Sequence, residues 1–161
     1  MGGSTDIWVL SLRDGKATPL VETRALETSA VFSPDGRWFA YHSNETGEPE
    51  VFVQPFPPTG GKFQVSQNGG LAPQWRGDGK ELFFIGFDSR MMAASIDTSG
   101  QFSSGVPLPL FFAETMVAFG GIGQQFAVTR KGQRFLISAV EQHVREIPLT
   151  AIVNWPATLP K

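Results

Sequence analysis

The side chains best suited to chemistry are few and far apart in this sequence. His42 and His143 are its two histidines and stand 101 positions apart, so the zinc-binding pattern of two His four residues apart with Glu between them is missing. A packed or hydrogen-bonded strand histidine is the expectation for each. There is no cysteine, which removes disulfides, thiolate metal sites and cysteine nucleophiles. No Gly-x-Ser-x-Gly elbow presents a serine nucleophile. A glycine-rich loop with a Val-Ala-Ile-Lys strand, His-Arg-Asp and Asp-Phe-Gly are all missing too, so phosphoryl transfer has no bearer. The expectation is a non-enzyme with no catalytic residue, no cofactor and no metal.

Some short motifs invite a functional reading, and each has a plainer one. Arg76-Gly77-Asp78 spells the integrin-binding tripeptide, but it falls in a turn that recurs elsewhere in the chain, so turn chemistry accounts for it. Asn44-Glu45-Thr46 satisfies the glycosylation sequon and reads as a polar turn. Gly120-Gly121-Ile122-Gly123-Gln124-Gln125 approaches a dinucleotide-binding loop, yet Gln125 stands where the last glycine is required and no strand–loop–helix surrounds it. A flexible connection between repeats is the expectation there. Asp14, Asp35 and Asp78 lie in successive turns and could line a Ca²⁺-binding rim, but they fit neither the EF-hand nor the glycine-rich calcium repeat. Asp14 belongs to a different kind of turn from the other two, so the three need not converge, and solvated turn residues are expected.

Composition narrows the partners. The 161 residues carry 13 Lys+Arg against 15 Asp+Glu, a net charge of −2. Without a basic block there is no counterion-release drive toward nucleic acid and no polybasic patch for an anionic bilayer. No stretch of about 18 apolar residues is present to span a membrane. Met1 to Thr5 has neither the basic nor the apolar run of a signal peptide, and the myristoylation pattern that Met1-Gly2 begins fails at Asp6. A soluble chain with a flexible leader over residues 1–5 is expected, contacting neither nucleic acid nor membrane. The lack of cysteine leaves the compartment open.

The elements around these residues are set by a repeat. Phe32-Ser33-Pro34-Asp35-Gly36-Arg37-Trp38, Trp75-Arg76-Gly77-Asp78-Gly79-Lys80-Glu81 and Val128-Thr129-Arg130-Lys131-Gly132-Gln133-Arg134 share one pattern: apolar residue, turn, glycine, polar residue, apolar run. Their turn glycines lie 43 and then 53 residues apart, near the roughly 40–45 residues of a four-stranded propeller blade with an insertion in the second interval. Further turns at Asp14-Gly15, Gly60-Gly61 and Ser99-Gly100 follow short strand-like runs. With 18 Gly and 12 Pro and no sustained 3.6-residue apolar period, the fold class expected is all-β, a partial β-propeller of four-stranded antiparallel blades, about three in number. Val140 to Arg145 could add a turn or two of helix.

Labelling strands a to d from the inside outward, residues 6–22 hold a half blade of strands c and d. Residues 28–66 make a full blade, with strands at 30–33, 38–43, 51–56 and 62–66. Residues 71–112 make another, with strands at 72–76, 82–86 and 91–96 and a looser outer strand near 110–112. Residues 125–155 form the last blade, with strands at 125–129 and 134–138 and an outer strand within 147–155, before a tail at 156–161. Phe32, Trp38, Phe52, Phe56, Trp75, Phe83, Phe84, Phe111, Phe126 and Phe135 fall on these strands, where large flat side chains can fill the space between twisted blades.

Phe32-Ser33-Pro34-Asp35-Gly36-Arg37, followed by Ala40-Tyr41-His42-Ser43-Asn44, resembles the signature of TolB-type six-bladed β-propellers, also described as WD40-like or PD40 repeats. Val51 to Phe56, Trp75 to Phe84 and Val153-Asn154-Trp155 add a narrower likeness to the C-terminal propellers of bacterial serine/threonine kinases and TolB-related proteins. The resemblance implies a non-catalytic module that senses or binds a protein or small ligand through one face or the mouth of its channel. It also implies alternatives: a propeller that covers or gates a kinase or prolyl-oligopeptidase-like domain absent from this chain, or a half-propeller that assembles with a second copy. Resemblance to extracytoplasmic propellers tilts the expected location outward, to the periplasm. A six-bladed ring needs roughly 250 residues, so the 161 present are expected to be a fragment, an open arc or one half of a homodimeric ring.

Overall fold

A computed structural model describes residues 5–113 and 126–138. Every regular element among them is a β-strand, and the strands form successive antiparallel sheets. The first sheet pairs β1 (Ile7–Leu10) with β2 (Ala17–Val21). The second is a meander of β3 (Glu27–Phe32), β4 (Trp38–Ser43), β5 (Glu50–Pro55) and β6 (Phe63–Gln64). The third runs β7 (Leu71–Trp75), β8 (Glu81–Ile85), β9 (Arg90–Asp97), with β10 (Ser103–Ser104) and β11 (Leu108–Phe112) both on the outer edge of β9. The fourth pairs β12 (Phe126–Val128) with β13 (Phe135–Ile137).

The cores lie between sheets. Side chains alternate across a strand, so Phe39 and Tyr41 of β4 pack with Ile7 and Val21 of the first sheet, while Ala40 between them joins Trp75, Leu82 and Phe84 of the third. On β8 the same alternation sends Phe83 and Ile85 to Phe126 of the fourth sheet. Strands in the middle of this stack are covered on both faces, which is why Val51 to Val53 and Leu82 to Ile85 are buried without a break. Aromatic rings bridge the gaps as expected: Phe63 and Trp38 meet Phe102 at 4.5 and 5.1 Å, and Phe83 meets Phe135 edge-on at 5.1 Å. Phe32 is the exception, half exposed and edge-on to Phe56 at 5.0 Å.

The outer strand of the third sheet departs from expectation. Its position is shared by β10 and β11, with a register shift between Pro109 and Phe111. Pro107 and Pro109 supply no N–H, so an unbroken ladder cannot form there. Gly105 carries the chain across the gap, its N–H bonded to the Ser95 carbonyl at 2.9 Å. Thr5, read as part of a flexible leader, is also tied down: it bridges Leu26 in parallel and accepts the Glu27 N–H at 2.8 Å. The remaining leader, the Gly120 to Gln125 loop, the short helix at 140–145, His143, the outer strand within 147–155 and the tail at 156–161 lie outside the described residues.

Both complete inner strands contain a bulge. Register shifts interrupt β3 between Thr28 and Val31 and β7 between Leu71 and Gln74. Ser29 and Ala72 sit at these shifts with φ of 57° and 52°, a left-handed conformation uncommon for residues with a side chain.

Candidate functional site

The repeated turns build one end of the molecule. In Ser33–Gly36, Arg76–Gly79 and Thr129–Gly132 the glycine N–H closes back on the first residue's carbonyl at 2.9, 2.8 and 2.8 Å. These glycines have φ of 69°, 73° and 72°, which explains a residue without Cβ at that place in every repeat. The preceding aspartate pins the turn. Asp35 accepts from the Ser33 hydroxyl at 2.6 Å and from the Arg37 N–H at 3.1 Å. Those bonds, Ser33 foremost, pull its carboxyl down to about 2. Asp78 accepts the Lys80 N–H at 3.1 Å and is likewise lowered, chiefly by Arg76 at 2.7 Å. The third repeat has Lys131 instead, and there the Thr129 hydroxyl accepts the Arg134 N–H at 3.2 Å.

Successive turns interlock. The Gly77 N–H donates to the Arg130 carbonyl at 3.0 Å. A Cβ on Gly77 would lie 2.2 Å from Arg130 Cγ and 2.8 Å from that carbonyl oxygen, and one on Gly132 would lie 2.9 Å from Arg76 Cδ. With the Asp97–Ser99 turn beside them, they surround a groove of about 700 Å³. Buried Trp75 and Ile96 and half-buried Trp38 form its floor. Asp35, Arg37, Asp78, Lys80, Asp97 and Arg130 line it with both signs of charge. Asp97 is held low by the N–H and hydroxyl of Ser99. Ser33 Oγ is committed to the turn, accepting the Trp38 N–H at 3.0 Å while donating to Asp35. An apolar floor with a rim of mixed charge suits recognition; among the described residues the groove's lining holds no histidine.

The aspartates divide as their turns do. Asp35 and Asp78 converge on this groove, while Asp14 stays in the Ser11–Lys16 turn of the first sheet, so the three do not come together. Among the described residues no group of three or more His, Cys, Asp or Glu could hold a metal ion. The Arg76-Gly77-Asp78 tripeptide is folded onto itself: Arg76 binds Asp78 and Glu81, each at 2.7 Å, and Gly77 lies against Arg130. Asn44 is occupied at the other end of the sheet, accepting the Leu26 N–H at 2.8 Å, and Glu45 pairs with Lys62 at 2.6 Å.

His42 also lies away from the groove. Its Nδ1 accepts the Ala72 N–H at 3.4 Å, placing the ring proton on Nε2 toward the Thr28 hydroxyl at 2.9 Å. Burial pushes its pKa down to about 4, so the ring is a neutral tie between sheets. Sequence reasoning passed over Arg37, Lys80, Asp97 and Arg130. For Arg37, Lys80 and Arg130 the signal was positional, since the repeated turns share one end of the stack; Asp97 lies outside those turns.

No family model matches the chain. Among solved structures it is similar to TolB from Acinetobacter baumannii, at 17% identity and a TM-score of 0.56, over 88% of this chain and 33% of that one. A TolB candidate from Agrobacterium tumefaciens aligns at 19% identity and a TM-score of 0.50, over 65% of this chain and 42% of the other. The fold is a partial TolB-like β-propeller. A candidate 6-phosphogluconolactonase from Bacteroides uniformis aligns at 14% identity and a TM-score of 0.52, over 82% of this chain and 40% of its own. The likeness is one of fold, and the chain spans less than half the length of each of these proteins. In propeller terms the sheets are blades, and the groove lies on the face that carries the a-to-b turns.

Proposed function

We propose that this propeller is a non-catalytic binding module that recognises a protein partner or small ligand through the groove on its turn face. The observation that carries the reading is the contrast within that groove. Trp75 and Ile96 form a buried floor, Lys80, Asp97 and Arg130 line its rim, and the Ser33 hydroxyl and the Asp35 and Asp78 carboxylates are held by turn bonds. Fixed polar groups over an apolar base orient a bound chain without chemistry. A partner bearing both charges fits the rim better than a uniformly charged one.

The test is selection of short peptides displayed on phage against the protein, with a parallel selection against Lys80→Glu. Peptides that bind the wild type and lose about tenfold or more on Lys80→Glu, with the fold intact by circular dichroism, support the groove. Peptides that bind both equally place recognition elsewhere and defeat the reading.

A further inference from the structure

The near-neutral total charge hides a separation along the strands. The chain enters β1 and β3 side by side at the parallel Thr5–Leu26 bridge, so the Ser11–Lys16 turn lies at the same end as the a-to-b turns and the groove. Every charged side chain of the described residues stands at or beyond a strand end. Apart from Lys62 and Glu45, which pair with each other, the turn end carries eight Lys and Arg against five Asp and Glu, and the opposite end two against six. The third a-to-b turn adds most to the surplus: Arg130, Lys131 and Arg134 are all exposed, and the turn from Thr129 to Arg134 contains no acid. The residues outside the described ones bring Glu114, Glu141 and Glu146 with Arg145 and Lys161, too small a net charge to cancel the separation.

Within the groove the two signs are unequally available. Asp35 takes the Ser33 hydroxyl and the Arg37 N–H on Oδ1 and Arg37 Nε on Oδ2, which fills three of the roughly four acceptor positions of a carboxylate. Asp78 is filled to the same degree by Arg76 Nε, Arg76 Nη2 and the Lys80 N–H. Asp97 binds the N–H and hydroxyl of Ser99 through Oδ1, so its turn leaves the second oxygen over. On the cationic side Arg37 gives only Nε to Asp35 and has a side chain 69% exposed, while Lys80 and Arg130 stand exposed in the lining. Guanidinium and ammonium groups are donors only, so the groove offers a ligand more donors than acceptors.

We infer that the turn face recruits an acid-rich peptide segment of a partner protein, with its carboxylates on Arg37, Lys80 and Arg130, an apolar side chain on the Trp75–Ile96 floor and one basic residue at Asp97. The inference rests on the binding reading of the groove and names what it binds. A phosphodiester backbone fits less well, because its uniform charge would meet Asp35, Asp78 and Asp97 with no cation to offer them. The third turn acts before contact. Lys131 lies outside the groove's lining, and its charge speeds the encounter with an acidic partner rather than strengthening the complex.

The probes are the phage-selected peptides that depend on Lys80, labelled with fluorescein and titrated by anisotropy. They should be net negative, and exchanging their Asp and Glu for Asn and Gln should weaken binding about tenfold or more. Arg37→Ala should weaken all of them, and Asp97→Asn only those that contain Lys or Arg, with circular dichroism unchanged in both variants. In stopped flow, Lys131→Glu should slow association about threefold and leave dissociation unchanged, a difference that about 0.5 M salt removes. Lys80-dependent peptides that are neutral or basic, or that keep their affinity without carboxylates, overturn the inference and leave the binding reading standing. An oligothymidylate that displaces them at equal concentration also overturns it, since phosphate would then be the group recognised. Peptides indifferent to Lys80→Glu defeat the binding reading and this inference with it. An unchanged association rate in Lys131→Glu overturns the role of the third turn.

Discussion

The two ends of the same blades use the same residue types in opposite ways. On the turn face, Asp35, Asp78 and Asp97 are bonded to their own turns and remain exposed. At the far end Glu27 and Glu50 are 2% and 7% exposed and reach across loops. Glu50 accepts the Ser66 hydroxyl and, at 2.9 Å, the Gly69 N–H, which fixes the crossing from the second blade to the third. Glu27 accepts the hydroxyls of Thr23 and Ser43 before the second blade. A turn-bound carboxylate in solvent still has lone pairs that a ligand's donors can reach; a buried one does not. One end is thereby available for recognition and the other is committed to holding blades together.

Substitutions can break that contrast, and the largest effect belongs to the buried end. Glu50→Ala leaves two donors unsatisfied and should lower the unfolding free energy in urea by about 3 kcal/mol. Gly77→Ala comes next, since its methyl group would overlap Arg130 Cγ and crowd the backbone carbonyl behind it. A loss of about 2 kcal/mol is expected, together with loss of the groove's shape.

The pH dependence sharpens the same comparison. The His42 pKa is depressed in the folded protein to about 4 from an ordinary 6.5. The unfolded chain therefore binds more protons between those values, so stability contributed by neutral His42 is complete above pH 6.5 and is lost as pH falls toward 4. Thermal melts should show a decline equivalent to about 2 kcal/mol over that interval, flattened in His42→Gln. Asp35 has its window lower, between its ordinary 3.8 and about 2, with stability again lost as pH falls. Its side chain is 43% exposed, so solvent screening limits Asp35→Asn to about 0.5 kcal/mol. A loss as large as that of Glu50→Ala would erase the distinction between the ends.

The strands and turns were legible because both leave marks in sequence. Glycines at Gly36, Gly79 and Gly132 meet a backbone demand for positive φ, and unbroken apolar runs such as Leu82 to Ile85 record burial on two faces. The bulges at Ser29 and Ala72 left no mark, because no glycine occupies those left-handed positions. Glu27 and Glu50 left no signal, since composition cannot reveal a hydroxyl brought to them from 16 residues away. The groove was half legible: the turn aspartates were singled out, but the approach of Arg130 to Gly77 arises from packing between blades and has no local signature.

Because neighbouring residues such as Leu82 and Phe83 serve different cores, the second and third blades are stabilised by contacts on both sides, and the blades behave as links in a linear array with nearest-neighbour coupling. Opening the third blade exposes two cores at once, whereas opening the first exposes one. Backbone amides should accordingly exchange with deuterium most slowly in β5 and β8 and faster in β2, which borders a single core.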